Sequence, residues 1–170
     1  MSSLSTTTRN ATYLRDLRSL DWPEVAQIYE DGIATGDASF ETEAPSWEAW
    51  DDAHPDIRLV AELDGAIAGW CALSPYSPRR CYRGVAEESV YVAEWARGRG
   101  VGRDLLEAVI ERAEEAGIWT LQAGIFPENR ASLRLHLGCG FRTVGIRDRL
   151  GETDGVFRSV VLLERRSEVV

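Results

Sequence analysis

The spacing of hydrophobic residues along this chain changes period several times, and each change marks an element. Residues 1–10 (MSSLSTTTRN) are almost all small and polar; they carry too little apolar surface to offset ordering entropy, so a mobile tail is expected ahead of one domain over 11–166. Apolar and polar residues alternate from Thr12 through Leu14 and Leu17. Asp21-Trp22-Pro23 then announces a helix that turns Val25, Ile28, Tyr29 and Ile33 inward. Residues 35–43 are polar apart from Phe40, and Pro45-Ser46 opens a short acidic helix around Trp47 and Trp50. Residues 58–63 and 66–73, joined by Asp64-Gly65, read as a β-hairpin.

Residues 85–92 (VAEESVYV) form a further strand, and Val101, Leu105, Val109, Ala113 and Ala116 share one face of a helix that stops at Gly117. A strand over 120–126, a short helix over 129–137 closed by Gly138 and Gly140, and two strand-like runs between Phe141 and Arg165, parted around 151–155, complete the chain. The order strands, helix, strand, helix, strands predicts a single α/β (α+β) layer structure.

Composition narrows what that structure does. A chain of 170 residues, 44% hydrophobic, suffices for one sizeable core but not comfortably for two. The net charge of −9 argues against a nucleic-acid partner, so an anionic ligand must meet a local basic site. Cys71, Cys81 and Cys139 are widely spaced, with no CxxC pair and only two histidines in the chain, so they read as packing residues rather than disulfides or a zinc site. His54, ahead of Pro55, reads as a helix-end or surface residue with no chemical role. No run approaches the roughly 18 apolar residues of a membrane span, and the N-terminus lacks signal-peptide features, so a cytoplasmic protein without a membrane partner is expected.

Candidate chemistry concentrates where the strand 85–92 meets the next helix. There ARGRGVGR interleaves Gly98, Gly100 and Gly102 with Arg97, Arg99 and Arg103. Glycines let backbone amides approach a ligand, a helix N-terminus favours an anion such as a pyrophosphate, and the arginines add charge. By itself the turn fits a purely geometric role with solvated arginines equally well. Its spacing is not that of a Rossmann GxGxxG, whose third glycine would fall on Arg103 or Leu105, nor of a P-loop, which needs GK[ST].

Residues 97–102 do resemble the (R/Q)xxGxG/A acetyl-CoA motif of the GNAT acetyltransferase superfamily. Residues 38–46 (ASFETEAPS), 86–92 (AEESVYV) and 126–141 (FPENRASLRLHLGCGF) extend the resemblance from about Tyr13 to Arg165. Within the superfamily the chain is similar to the phosphinothricin acetyltransferase branch, which includes sulfone, sulfoximine and arsinothricin acetylating relatives. The resemblance implies the GNAT fold, a mixed, mostly antiparallel central sheet flanked by helices. It also implies acetyl-CoA as co-substrate without a metal, a small-molecule amine as acceptor, and a homodimer. The backbone of Val90, Tyr91 and Val92 would pair with the pantetheine arm, with an N–H near Val92 polarising the thioester carbonyl. Arg97, Gly98, Arg99, Gly100, Val101, Gly102 and Arg103 would hold the pyrophosphate, and Asn129 and Ser132 would contact the cofactor.

Strand alternation sends Glu87, Ser89 and Tyr91 to one face and Ala86, Glu88, Val90 and Val92 to the other. Counted back from Tyr91-Val92, Glu87 matches the branch's catalytic or amine-binding glutamate, which leaves Glu88 structural or solvated. From the residues alone, both carboxylates read as strand-edge charges. His136 shares a helical face with Asn129 and Ser132, where the branch has histidine and many GNAT enzymes have tyrosine, and the resemblance implies that it assists proton transfer. Phe40 would shield the amine or merely anchor its loop. Arg80, Tyr82 and Arg83 would bind an oxyanion of the substrate or form a solvated basic loop. Leu137, Phe157 and Ser159 depart from the branch's pattern and bear on substrate identity. The leading expectation is direct acetyl transfer to the primary amine of a small amino-acid-like molecule of the phosphinothricin, methionine sulfone or methionine sulfoximine type. A non-catalytic acyl-CoA-responsive binding module and an acetyltransferase for a protein amine are the alternatives.

Overall fold

A computed structural model describes residues 12–170, and the tail expected over 1–10 lies outside the described residues. The alternation around Leu14 forms a short strand, β1 (Tyr13–Asp16), which pairs antiparallel with β2 (Arg58–Leu63). Asp64 and Gly65, at φ 55° and 83°, adopt the left-handed pair that favours Asp-Gly and join β2 to β3 (Ala66–Pro75). β3 pairs antiparallel with β4 (Val85–Val92), and β4 runs parallel to β5 (Thr120–Ile125). The outer hairpin consists of β6 (Arg142–Thr153) and β7 (Val156–Arg166). Its turn is tighter than expected: Asp154-Gly155 alone reverses the chain, and Gly151 lies inside β6. The seven strands lie in the order β1-β2-β3-β4-β5-β7-β6, with β4–β5 parallel and the other five neighbouring pairs antiparallel. This is the mixed, mostly antiparallel sheet that the resemblance implied.

Among the described residues four α-helices flank the sheet: α1 (Trp22–Ala34), α2 (Trp47–Ala53), α3 (Val101–Glu115) and α4 (Arg130–Gly138). α1 buries Val25 and Ile28, but Gly32 rather than Ile33 completes its inward face. A Cβ on Gly32 would sit 2.7 Å from the Tyr91 ring, so the glycine lets α1 lie close to β4. The opposite face of the sheet is covered by α3, through Val101, Leu105, Leu106, Val109, Ile110 and Ala113. Trp50 and Trp70, each 1% exposed, sit at the centre of a cluster with Trp22, Trp47, Tyr29 and Tyr91, whose ring centroids lie 4.8–6.0 Å apart. Among the described residues no helix is long and apolar enough to cross a membrane.

The feature that positions the site is a failure of pairing. β4 and β5 are in register only at Val85–Thr120, Ala86–Leu121 and Glu87–Gln122. Beyond Glu87 the two strands part, leaving the last five residues of β4 without a partner on that side. Truncating Trp50 to Ala is expected to cost about 3–5 kcal/mol, read as a lower urea midpoint at unchanged slope.

Candidate active site

A cleft of about 640 Å³ fills the gap between the parted strands. Its walls are Glu88 to Val92 of β4 and Ala123 to Phe126 at the end of β5. The glycine turn closes one end, α4 one side, and Asp37 and Ala38 of the loop after α1 cross the other. A strand edge that has lost its neighbour exposes unsatisfied N–H and C=O groups, which an extended amide-bearing chain can pair with. The pantetheine arm expected along Val90, Tyr91 and Val92 fits this edge.

The three glycines of the turn differ in what they do. Gly98 and Gly100 have φ of 73° and 92°, a region open to glycine at little cost. Gly102 serves packing: its missing Cβ would lie 3.2 Å from Leu135 and 3.3 Å from Val92, so α3 starts tight against α4 and β4. No side chain caps α3, whose first-turn amides therefore stand free at the dipole's positive end beside the cleft. This cradle suits a pyrophosphate. Arg97, Gly98, Gly100, Val101, Gly102 and Arg103 line the cleft, but Arg99 does not. Its guanidinium donates to Asp64 at 2.8 Å and lies 5.9 Å from the centre of the Trp95 ring, tying the turn to the β2–β3 hairpin. Arg99 thus lies outside the cleft lining and braces the turn.

On α4, Asn129, Ser132 and His136 all face the cleft, as their spacing predicted. Asn129 caps the helix by accepting from Ser132 N at 3.1 Å and donates to the Asp37 carbonyl at 3.3 Å. His136 is 1% exposed. Its Nδ1 sits 2.7 Å from the Ser132 carbonyl and its Nε2 against the Glu88 carboxylate. Burial, the largest single effect, disfavours the charged ring. The Glu88 charge and hydrogen bond, with the Ser132 carbonyl, outweigh it and hold the His136 pKa above its ordinary value. Cys71 of β3 donates its S–H to the other Glu88 oxygen at 3.8 Å, and burial together with that carboxylate pushes the thiol well up.

Glu88, which the sequence left structural or solvated, is the buried carboxylate of the cleft wall. It is 5% exposed and lines the cleft, and β4 is a central strand, so neither the solvated nor the strand-edge reading of Glu88 holds. Glu87 points to the other face, is exposed, and accepts from Gln122 at 2.9 Å. The structure therefore does not bring Glu87 and His136 together; it pairs His136 with Glu88. The alternation in the sequence did signal that the two glutamates differ, but not which face α4 would cover.

The expected substrate residues lie outside the cleft lining. Phe40 meets Phe126 edge-on at 4.8 Å, and its ring fills the space where Gly151 lacks a Cβ, so it anchors its loop instead of shielding the cleft itself. Arg80, Tyr82 and Arg83 are exposed ahead of β4; Tyr82 packs on Tyr76 at 5.3 Å and Arg83 lies over Trp119 at 5.3 Å. Arg158 of β7, not singled out in the sequence, donates to the Gly36 carbonyl at 2.8 Å, Asp37 at 3.1 Å and Glu128 at 3.2 Å, with its guanidinium 4.1 Å from the Phe126 ring centre. It holds the loop after α1 to the β5–α4 corner. Among the described residues no group of three or more His, Cys, Asp or Glu side chains is placed to hold a metal ion.

A mixed sheet opened between two parallel strands, with a glycine turn and a bare helix N-terminus at the open end, defines a transferase fold built around an acyl-CoA. The chain belongs to the Acetyltransferase (GNAT) family, whose model matches residues 13–141, and it is an acetyl-CoA-dependent N-acetyltransferase. It is 38% identical over 170 residues to a phosphinothricin N-acetyltransferase of Alcaligenes faecalis, covering 92% of this chain and 83% of that one. It is 31% identical over 159 residues to an L-methionine sulfoximine/L-methionine sulfone acetyltransferase of Pseudomonas paraeruginosa, covering 89% and 92%. The crystal structure of a GNAT superfamily phosphinothricin acetyltransferase from Sinorhizobium meliloti in complex with acetyl-CoA superposes with a TM-score of 0.84 at 26% identity, covering 91% of this chain and 88% of that one.

Two measurements follow from this geometry. Arg97→Glu should raise the Kd for CoA by roughly tenfold, equivalent to about 1.4 kcal/mol, and Arg99→Glu by much less; isothermal titration distinguishes them. The raised pKa of His136 belongs to the folded state, so its stabilising contribution is complete below the ordinary histidine value of 6.5 and is lost as pH rises through the folded value. The Tm advantage of the wild type over Glu88→Gln should therefore narrow on going from pH 6 to pH 9, as followed by circular dichroism.

Proposed function

We propose that this enzyme acetylates the primary amine of a small amino-acid-like molecule of the phosphinothricin, methionine sulfone or methionine sulfoximine type. The similarity to enzymes named for those acceptors, over about nine-tenths of the chain, carries this reading. When bound, acetyl-CoA supplies an activated thioester. Turnover joins the amine nitrogen to the acetyl carbon, releases the thiol, and sheds one proton from the starting ammonium.

Glu87 is the base in this scheme. It shares a strand face with Ser89 and Tyr91, both of which line the cleft, and its carboxylate is exposed to water. A water between its carboxylate and the amine would carry the proton. Val90 to Val92 hold the pantetheine by their backbone. Arg97, Gly98, Gly100, Val101, Gly102 and Arg103 hold the pyrophosphate, with Asn129 and Ser132 beside them. Arg80, Tyr82 and Arg83 precede Glu87 at the same end of β4, where they meet an oxyanionic or sulfonyl group on the acceptor.

The enzyme acts as a homodimer in the cytoplasm. Val144, Ile146, Leu150, Val156 and Phe157 on the β6–β7 hairpin are 42–63% exposed, an apolar surface that a second copy would cover. Cys71, Cys81 and Cys139 are free thiols, in keeping with a reducing compartment.

CoA release from acetyl-CoA, measured across phosphinothricin, methionine sulfone, methionine sulfoximine and the proteinogenic amino acids, tests the reading. Turnover is expected to be fastest with the first three; tight CoA binding with no turnover on any amine would favour a binding module instead. Glu87→Gln should lower kcat by roughly 10²-fold, the usual scale for a general base, with the Kd for CoA unchanged. Wild-type kinetics in that variant would remove the base assignment.

A further inference from the structure

His136 is the one histidine in the cleft wall, and its surroundings fix its protons. The Ser132 carbonyl, 2.7 Å from Nδ1, can only accept, so Nδ1 carries a hydrogen. Nε2 abuts Glu88 Oε1, and the other Glu88 oxygen accepts from the Cys71 thiol. The shared proton then sits either on the ring or on the carboxyl. The geometry favours the ring: burial disfavours its charge, but the adjoining carboxylate, its hydrogen bond and the Ser132 carbonyl outweigh that and hold the imidazolium above its ordinary value, which keeps the proton on Nε2. Both ring nitrogens are thereby occupied as donors, and neither has a free lone pair to take a proton from an amine.

We propose that Glu88 is a positioning residue that holds His136 as a fixed imidazolium in the cleft wall, so that His136 is a stationary positive charge and not a base. The inference rests on the acetyl-transfer reading of the site. It assigns the amine's proton to the Glu87 side of β4 alone and leaves His136 exchanging no proton during turnover. A fixed cation beside the parted strands favours negative charge as it develops there, and costs no reorganisation because Cys71, Glu88, His136 and the Ser132 carbonyl form one chain across β3, β4 and α4. The groups packed around the ring are consistent with this role. Phe141 meets it edge-on at 5.1 Å, Glu88 and Cys71 come from the sheet, and Ser132 comes from its own helix. Tyr91 and Cys139 also lie within reach of the Glu88 charge, and in both burial is the larger cause of a raised pKa, so both stay neutral near pH 7.

The test is the imidazole nitrogen spectrum of the isotope-labelled full chain, with and without CoA, alongside pH–rate profiles of the wild type and Glu88→Gln. Two protonated ring nitrogens on His136 at pH 7.5 are expected. A bare Nε2 beside a protonated Nδ1 would overturn the proposal whatever the activity. Glu88→Gln keeps an acceptor but removes the charge, so the His136 titration and the alkaline fall in kcat should both move down by at least about one pH unit. A variant that loses only thermal stability, with an unmoved pH profile, would make the pair structural and overturn the positioning role. A wild-type rate that climbs as the ring loses its proton would do the same. If no amine in the acceptor panel is acetylated, the functional reading falls, while the nitrogen spectrum still reports the state of the pair.

Discussion

Everything distinctive about this molecule depends on the point at which β4 and β5 stop pairing. Three registered pairs hold the strands together as far as Glu87, and beyond it they part. A sheet interior does not tolerate a row of unsatisfied amides unless a ligand or water completes it. The gap therefore supplies both room for an extended cofactor arm and backbone groups to hold it. The β4 edge of the gap is held from both faces: α3 grips β3 and β4 from one side, and α1 packs on Tyr91 from the other.

The same opening explains how a chain of net charge −9 receives an anionic cofactor. Positive potential is local rather than global: free helix amides, Arg97 and Arg103 stand at the end of the cleft, and His136 lies deeper in its wall. The acidic groups on the cleft are kept from opposing it. Asp37 and Glu128 are engaged by Arg158, and Glu88 by His136. Charge-assisted bonds of this kind also hold the loop after α1 across the cleft, with Phe40 wedged beneath Gly151 as its apolar anchor.

How much of this was legible beforehand follows from the range of the interactions involved. The Asp64-Gly65 hairpin, the Ser46-capped α2 and the polar face of α4 are set by residues within a few positions of one another, and the sequence pattern marks each of them. β1 is four residues long and is a strand only because β2 pairs with it, so its alternation alone did not declare it. Alternation along β4 correctly separated Glu87 from Glu88. Which of the two meets His136 depends on the face that α4 covers, 48 residues later in the chain. Arg99 looked like its neighbours in the turn until Asp64, 35 residues earlier, drew its guanidinium away. Arg158 left no local signal at all, since its three acceptors come from two distant loops.

Hydrogen–deuterium exchange with and without acetyl-CoA tests the central claim, that the parted strands are the cofactor's seat. Acetyl-CoA should slow exchange at the amides of Val90 to Val92 and at Val101 to Arg103, with little change along β1 and β2. Protection that left the second half of β4 exchanging as fast as in the free protein would contradict the account.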